Sequence, residues 1–129
     1  MTKPMRKDPT LAIQVENLSE LAVVECEGRI TQSESVFKLR DAVLAQGNSR
    51  IIALDLSGVQ AIGGGALGML MFLQHWADDH AIELKLFSPS RSVLEGLVHN
   101  RCILDFKIAT FHELMGILTQ CEGRPALAA

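Results

Sequence analysis

Gly63, Gly64 and Gly65 stand between an apolar run at 50–57, which carries Asp55 and Ser57, and a helix-like stretch at 66–76. The chemistry on offer at that junction belongs to the backbone. Glycines supply no nucleophile and no proton-transfer group, but they expose N–H groups at a helix start and admit close approach by whatever docks there. Three of them in a row cost about 2 kcal/mol relative to helix-favouring residues, a penalty that asks either for a function or for a packing reason. Asp55 lacks an obvious second carboxylate, and no Ser/His/Asp or Cys/His set shares a predicted edge, so the residues point to binding and no catalytic group is expected.

Two sharper readings of the same residues fail on context. Gly63, Gly65 and Gly68 spell G-x-G-x-x-G, yet a dinucleotide fingerprint needs its first glycine directly after the first strand and an acidic residue at the end of the next. Here Ser57 and Gly58 are expected to interrupt between strand and glycines, Glu83 opens its strand, and a hairpin precedes the unit. No Gly-Lys-Ser/Thr follows, which excludes a P-loop. His75, Asp79 and His80 fall on or near one helix, but they read as its solvated polar end, since a zinc site would need further ligands. Neither cofactor nor metal is expected.

The chain has 129 residues, 48% of them hydrophobic, which suits one domain over residues 1–129 with a real core. Its net charge of -3, without a dense Lys/Arg run, argues against nucleic acid as partner. The basic opening at 1–8 is followed by an apolar stretch broken at Gln14 and Glu16, so neither a signal peptide nor membrane insertion is expected. Cys26, Cys102 and Cys121 lie far apart and read as reduced apolar residues of a cytoplasmic chain.

The elements that must position the glycines follow from periodicity. Strands are expected at 11–18 and 21–30 as a hairpin, with a helix capped by Thr31 or Ser33 running to about Gln46. A buried strand follows at 50–56, then a helix at 66–80, a strand at 82–87, a helix capped by Ser90 running to His99, a short strand at 106–109 and a closing helix at 111–121. Residues 1–9 and 122–129 are expected to be unstructured ends. The order calls for an α/β domain with a mixed central sheet of about five strands and about four α-helices. On the second helix, Ala66, Leu70, Leu73 and Ala77 form the stripe that covers the sheet. Met69, Phe72 and Trp76 form its neighbour, for which core packing is expected at Met69 while Phe72 and Trp76 stay open between core and partner surface.

At the junction the chain resembles the STAS domain of bacterial anti-sigma-factor antagonists and sulfate transporters. The resemblance rests on Leu54-Asp55-Leu56-Ser57, the apolar pair that follows, and the helix opening at Gly63-Gly64-Gly65-Ala66-Leu67-Gly68, where the family pattern reads Asp-Ser-Ser/Thr-Gly-Leu-Gly. Gly28-Arg29-Ile30, the strand at 82–88, the helix at 93–97, Phe106-Lys107-Ile108 and Glu113-Leu114 also fall where the family places them. The resemblance implies a STAS-like fold and a non-catalytic role in protein–protein recognition. It also implies a departure: the position that regulatory members phosphorylate is Gly64 here, Gly63 replaces the preceding Asp, and Gly65 replaces the second hydroxyl residue. A helix start that cannot gain about -1.5 to -2 charges cannot be switched by phosphate there. The implied partner is an anti-sigma factor or kinase-like regulatory protein, met through Gly63, Gly64, Gly65, Gly68, Asp55, Ser57 and a turn at Gly28-Arg29. A transporter subunit or a small ligand is the alternative, and a homodimer stays open.

Overall fold

The computed structural model describes residues 11–109, together with His112 and Gly116. Strand β1 (Leu11–Leu18) and β2 (Leu21–Ile30) form the expected antiparallel hairpin, Ser19 taking the positive φ of 60° that the tight turn requires. Helix α1 (Ser33–Leu44), β3 (Ile51–Ile62), α2 (Gly64–Asp79), β4 (Glu83–Phe87), α3 (Arg91–His99), a 3₁₀ turn (Ile103–Asp105) and β5 (Lys107–Ala109) follow. The sheet order is β1-β2-β3-β4-β5, with β2 to β5 mutually parallel.

Strand order equal to chain order has a geometric consequence. Right-handed crossovers that always step in one direction put every connecting helix on the same face. Leu39 and Val43 of α1, Leu70, Leu73 and Ala77 of α2, and Val93 and Leu97 of α3 accordingly share one core with Ala22, Val24, Ile52, Leu54, Leu84 and Leu86. The alternate strand positions Leu21, Val23, Ile51 and Ala53 build a second, smaller buried cluster with Leu18 and Phe87.

Several boundaries differ from the sequence expectation, each for a local reason. Helix α1 is capped at Gln32 instead of Thr31 or Ser33, because the buried Ser35 hydroxyl accepts from the Gln32 N–H at 3.1 Å and donates to the Gln32 carbonyl at 2.7 Å. Strand β3 does not stop at Leu56. Leu56 and Ser57 together oppose Cys26 and form a bulge in it, between the Asp55–Glu25 and Gly58–Glu27 pairs, and the alternation reverses so that Leu56 and Val59 both join the helix-side core. Gly58 sits at close quarters beside it, where a Cβ would lie 3.1 Å from the Cys26 carbonyl oxygen and press on it. Gly28 and Arg29 lie inside β2 and make no turn; a second register shift falls between them, and Gly28 holds φ at 119°. Helix α2 begins at Gly64, two residues before the expected start, and β4 begins at Glu83. Three α-helices are seen among the described residues; the expected closing helix and both expected unstructured ends lie, apart from His112 and Gly116, outside them.

Candidate functional site

Gly63 is the extended N-cap of α2, at φ -102° and ψ 175°, and its N–H donates to the Ile30 carbonyl at 3.0 Å. The helix start is thereby anchored to the end of β2, beside Gly28 and Arg29, which pair with Val59 and Ala61. No side chain caps α2 and its first turn holds no acid. The N–H groups of Gly64, Gly65 and Ala66 precede the first intrahelical bond and have no acceptor within the helix.

The glycines owe nothing to backbone strain. Gly28 is the sole described glycine with positive φ. A Cβ built on Gly64, Gly65 or Gly68 would meet nothing within 4 Å, and one on Gly63 would make ordinary contacts of 3.7–3.8 Å with Ile30 and Thr31. Packing therefore does not require glycine at 64, 65 or 68. The result is an exposed helix face that presents peptide backbone where a Cβ would have room.

Asp55 and Ser57 belong to another place. The Ser57 N–H and hydroxyl both donate to Asp55 Oδ1, at 2.9 and 2.8 Å, so the pair closes on itself at the bulge. Asp55 pairs with Glu25 of β2, whereas Gly63 meets Ile30, five residues further along that strand, or roughly 16 Å away. Below the pair lies Cys26, whose thiol is pushed up to about 12 by burial first and by the Asp55 charge second. A thiol so held is no nucleophile at neutral pH.

Sequence reasoning placed α3 but missed its part in the site. Ser90 caps it as expected, accepting from the Val93 N–H at 3.3 Å, but its hydroxyl also donates to the Val59 carbonyl at 2.6 Å, and Ser92 donates to the Gln60 carbonyl at 2.8 Å. These bonds tie the start of α3 to the tail of β3. Gly96 packs closely on Ile62, a Cβ there lying 3.3 Å from Ile62 Cγ2. Between α3, the β3 tail and the start of α2 runs a shallow groove of about 620 Å³, lined by Gln60, Ile62, Gly64, Leu67, Glu95, His99 and Asn100 among others. Leu94 and Val98 stand exposed beside it, Val98 at 58%. The signal was present in Val93-Leu94 and Leu97-Val98: two apolar pairs one turn apart exceed what one buried stripe needs.

The two open aromatics divide. Trp76 is half-buried against the core, its ring 5.2 Å from that of His80, and Met69 packs on the same core. Phe72 is 52% exposed. His75, Asp79 and His80 lie at the exposed end of α2, and among the described residues no three His, Cys, Asp or Glu side chains are placed to hold a metal. None of the described helices is long and apolar enough to cross a membrane.

A mixed five-stranded sheet, helices stacked on one face, and a helix start and groove at the C-terminal end of β3 define a small two-layer α/β domain. Within that class the chain belongs to the STAS-domain family, whose family model matches residues 12–115. Among solved structures it is similar to an anti-sigma factor antagonist from Mycobacterium paratuberculosis, at 16% identity and TM-score 0.71, covering 84% of this chain and 93% of that one. It is similar also to the anti-sigma factor antagonist SpoIIAA in its unphosphorylated form, at 17% identity and TM-score 0.67, covering 81% and 93%. SLC26A9 matches at 11% identity and TM-score 0.66 over 84% of this chain, but over 21% of its own length. No curated protein sequence matches the chain.

Proposed function

We propose that this STAS domain is a non-catalytic, cytoplasmic regulator of the anti-sigma-factor antagonist type that binds an anti-sigma factor or kinase-like protein and lacks the phosphate switch at its helix start. One observation carries the reading: Gly64, at the position where the family resemblance puts a phosphorylated serine, is exposed with open space where a side chain would stand. A serine would fit there, so its absence is not imposed by the fold. The docking face proposed is the bare start of α2 at Gly63, Gly64, Gly65 and Gly68 together with the groove beside α3. Gly28 and Arg29 flank it, whereas the Asp55–Ser57 pair sits apart and supports the strand.

Affinity purification from the native cell, with the bound protein identified by mass spectrometry, tests the partner; a kinase-like anti-sigma factor is expected. Recovery of an ATP-binding transporter subunit would favour the alternative of a STAS subunit within a transporter assembly, a reading prompted by the match to a segment of the much longer SLC26A9. Incubation with the recovered kinase and ATP should leave the protein unmodified, and the pair Gly63→Asp, Gly64→Ser should create an acceptor. Phosphate on Ser57 of the unaltered protein, accompanied by partner release, would sink the switchless reading.

A further inference from the structure

The sheet has two apolar faces, and the described helices cover one of them. Residues of α1, α2 and α3 share their core with Ala22, Val24, Ile52 and Leu54. Successive strand residues point to opposite faces, so Leu21, Val23, Ile51 and Ala53 turn away from all three helices. The described side chains packed on that second cluster, Leu18 and Phe87, both belong to strands. Yet Leu21 and Ala53 are 0% exposed, Ile51 5% and Val23 9%. A sheet face open to water does not reach such values, and parallel strands are as a rule covered on both sides. The burial is reached within one copy of the chain, so no second copy is needed for it.

The two stretches that flank residues 11–109 differ in what they bring to this face. Residues 1–10 carry Pro4, Pro9, four charged side chains and, as apolar side chains, Met1 and Met5; they lead into Leu11, which is buried on the helix side. Residues 111–121 carry Phe111, Leu114, Met115, Ile117 and Leu118 against the single carboxylate of Glu113. They leave β5 at Ala109, which pairs with Phe87 on the second face and is 4% exposed. His112 and Gly116 are both helical and both exposed. On a helix these two point within about 40° of each other, while Phe111, Leu114, Ile117, Leu118 and Cys121 point about 140–260° away. The reach also agrees. A helix over 111–121 is about 16 Å long. From Phe87 to Leu21 the face measures about 13 Å along the strands and about 10 Å across two strand spacings, a diagonal of about 16 Å.

We infer that the second face of the sheet is the docking site of the chain's own segment 111–121, laid as a helix from Phe87 toward Leu21 with Leu114 and Leu118 inward and His112 and Gly116 outward. The segment adds a third layer to the two that the described elements build. Both broad faces of the sheet are then closed, and the open surface left for a partner is the end at which α2 and α3 begin.

Nuclear Overhauser contacts in the methyl-labelled full chain test this assignment. Cross-peaks are expected from Leu114 and Leu118 to Leu21, Val23 and Ile51, with none to Leu84 or Leu86, and their relative intensity should survive dilution of the labelled protein with excess deuterated chain. Leu118→Ala should shift the Leu21 and Ile51 methyl resonances, whereas Gly116→Arg, which points outward into open space, should leave them in place. Contacts from Leu114 and Leu118 to Leu84 or Leu86 overturn the inference by putting the segment on the helix side. Contacts from Met1 or Met5 to Leu21 and Ile51 overturn it in favour of residues 1–10, and cross-peaks lost on dilution overturn it in favour of a second copy. Equal shifts in the two variants would mean that the segment has no inward side there and overturn it as well.

Discussion

At Gly58 a Cβ would press on the Cys26 carbonyl at 3.1 Å, and at Gly28 the backbone holds φ at 119°, whereas at Gly68 a side chain would meet nothing within 4 Å. The same residue type thus serves opposite ends, and substitution separates them. Gly58→Ala should cost about 1–3 kcal/mol through overpacking at the bulge. Gly68→Ala should instead stabilise the fold by about 0.5–1 kcal/mol, since the helix loses its least favourable interior residue at no steric expense. Thermal unfolding of the two variants checks both signs, and partner affinity should fall for Gly68→Ala even as its melting temperature rises. Cys26 supplies a pH-dependent counterpart. Its thiol is held protonated up to about 12 in the folded state against 9.0 ordinarily, so the folded chain keeps a proton that the unfolded chain releases. The associated stability is complete below pH 9 and is lost as pH rises toward 12, at up to about 1.4 kcal/mol per unit. Denaturant melts across pH 8–11 should show that alkaline loss, and Cys26→Ala should flatten it.

Helix α2 is where element-scale reasoning gains most. Its inner stripe of Ala66, Leu70, Leu73 and Ala77 was legible from spacing alone and is buried throughout. The neighbouring stripe was legible at Met69 but left open at Phe72 and Trp76, because spacing gives direction without saying what lies opposite. Trp76 meets the core, His80 and the Gly47 region; Phe72, one turn earlier, meets solvent. Trp76→Ala should therefore cost about 2–3 kcal/mol and Phe72→Ala less than about 0.5, measured by chemical denaturation. Strand β3 was misjudged at its centre for a related reason. Ser57-Gly58 carries the local signature of a strand end, but a serine in a bulge followed by a closely packed glycine reads the same way, and only the neighbouring β2 decides between them. Helix α3 was placed to the residue by its Ser90 cap and His99 end, yet the Ser90 and Ser92 bonds to β3 that make it a wall of the groove are long-range and left no trace in local pattern.

For the whole molecule, family and element order could be read before any coordinates, since an apolar Leu-Asp-Leu-Ser strand and alternating periods fix which elements occur and in what sequence. The groove could not, as it joins three segments that are separate in the chain. If it is the docking face, a change on α3 must act like a change on α2: Leu94→Ser with Val98→Ser should weaken partner binding by tenfold or more while stability shifts by less than about 1 kcal/mol, a pairing measurable by titration calorimetry and thermal melts. Thermal loss equal to the binding loss would instead make those side chains part of the fold's support.

Because each parallel strand pairs with the one that precedes it in the chain, no strand has to wait for a distant segment to return. Every loop closed during folding is one strand-helix-strand unit long, which keeps contact order low for a parallel sheet and removes the slow long-range closure that such sheets often need. Folding can then proceed as a zipper from the β1–β2 hairpin toward β5, with each new strand templated on an edge already formed. The same order makes β5, only three residues long and last in line among the described strands, the place where the zipper opens first; its backbone amides should exchange with solvent long before those of β2 and β3.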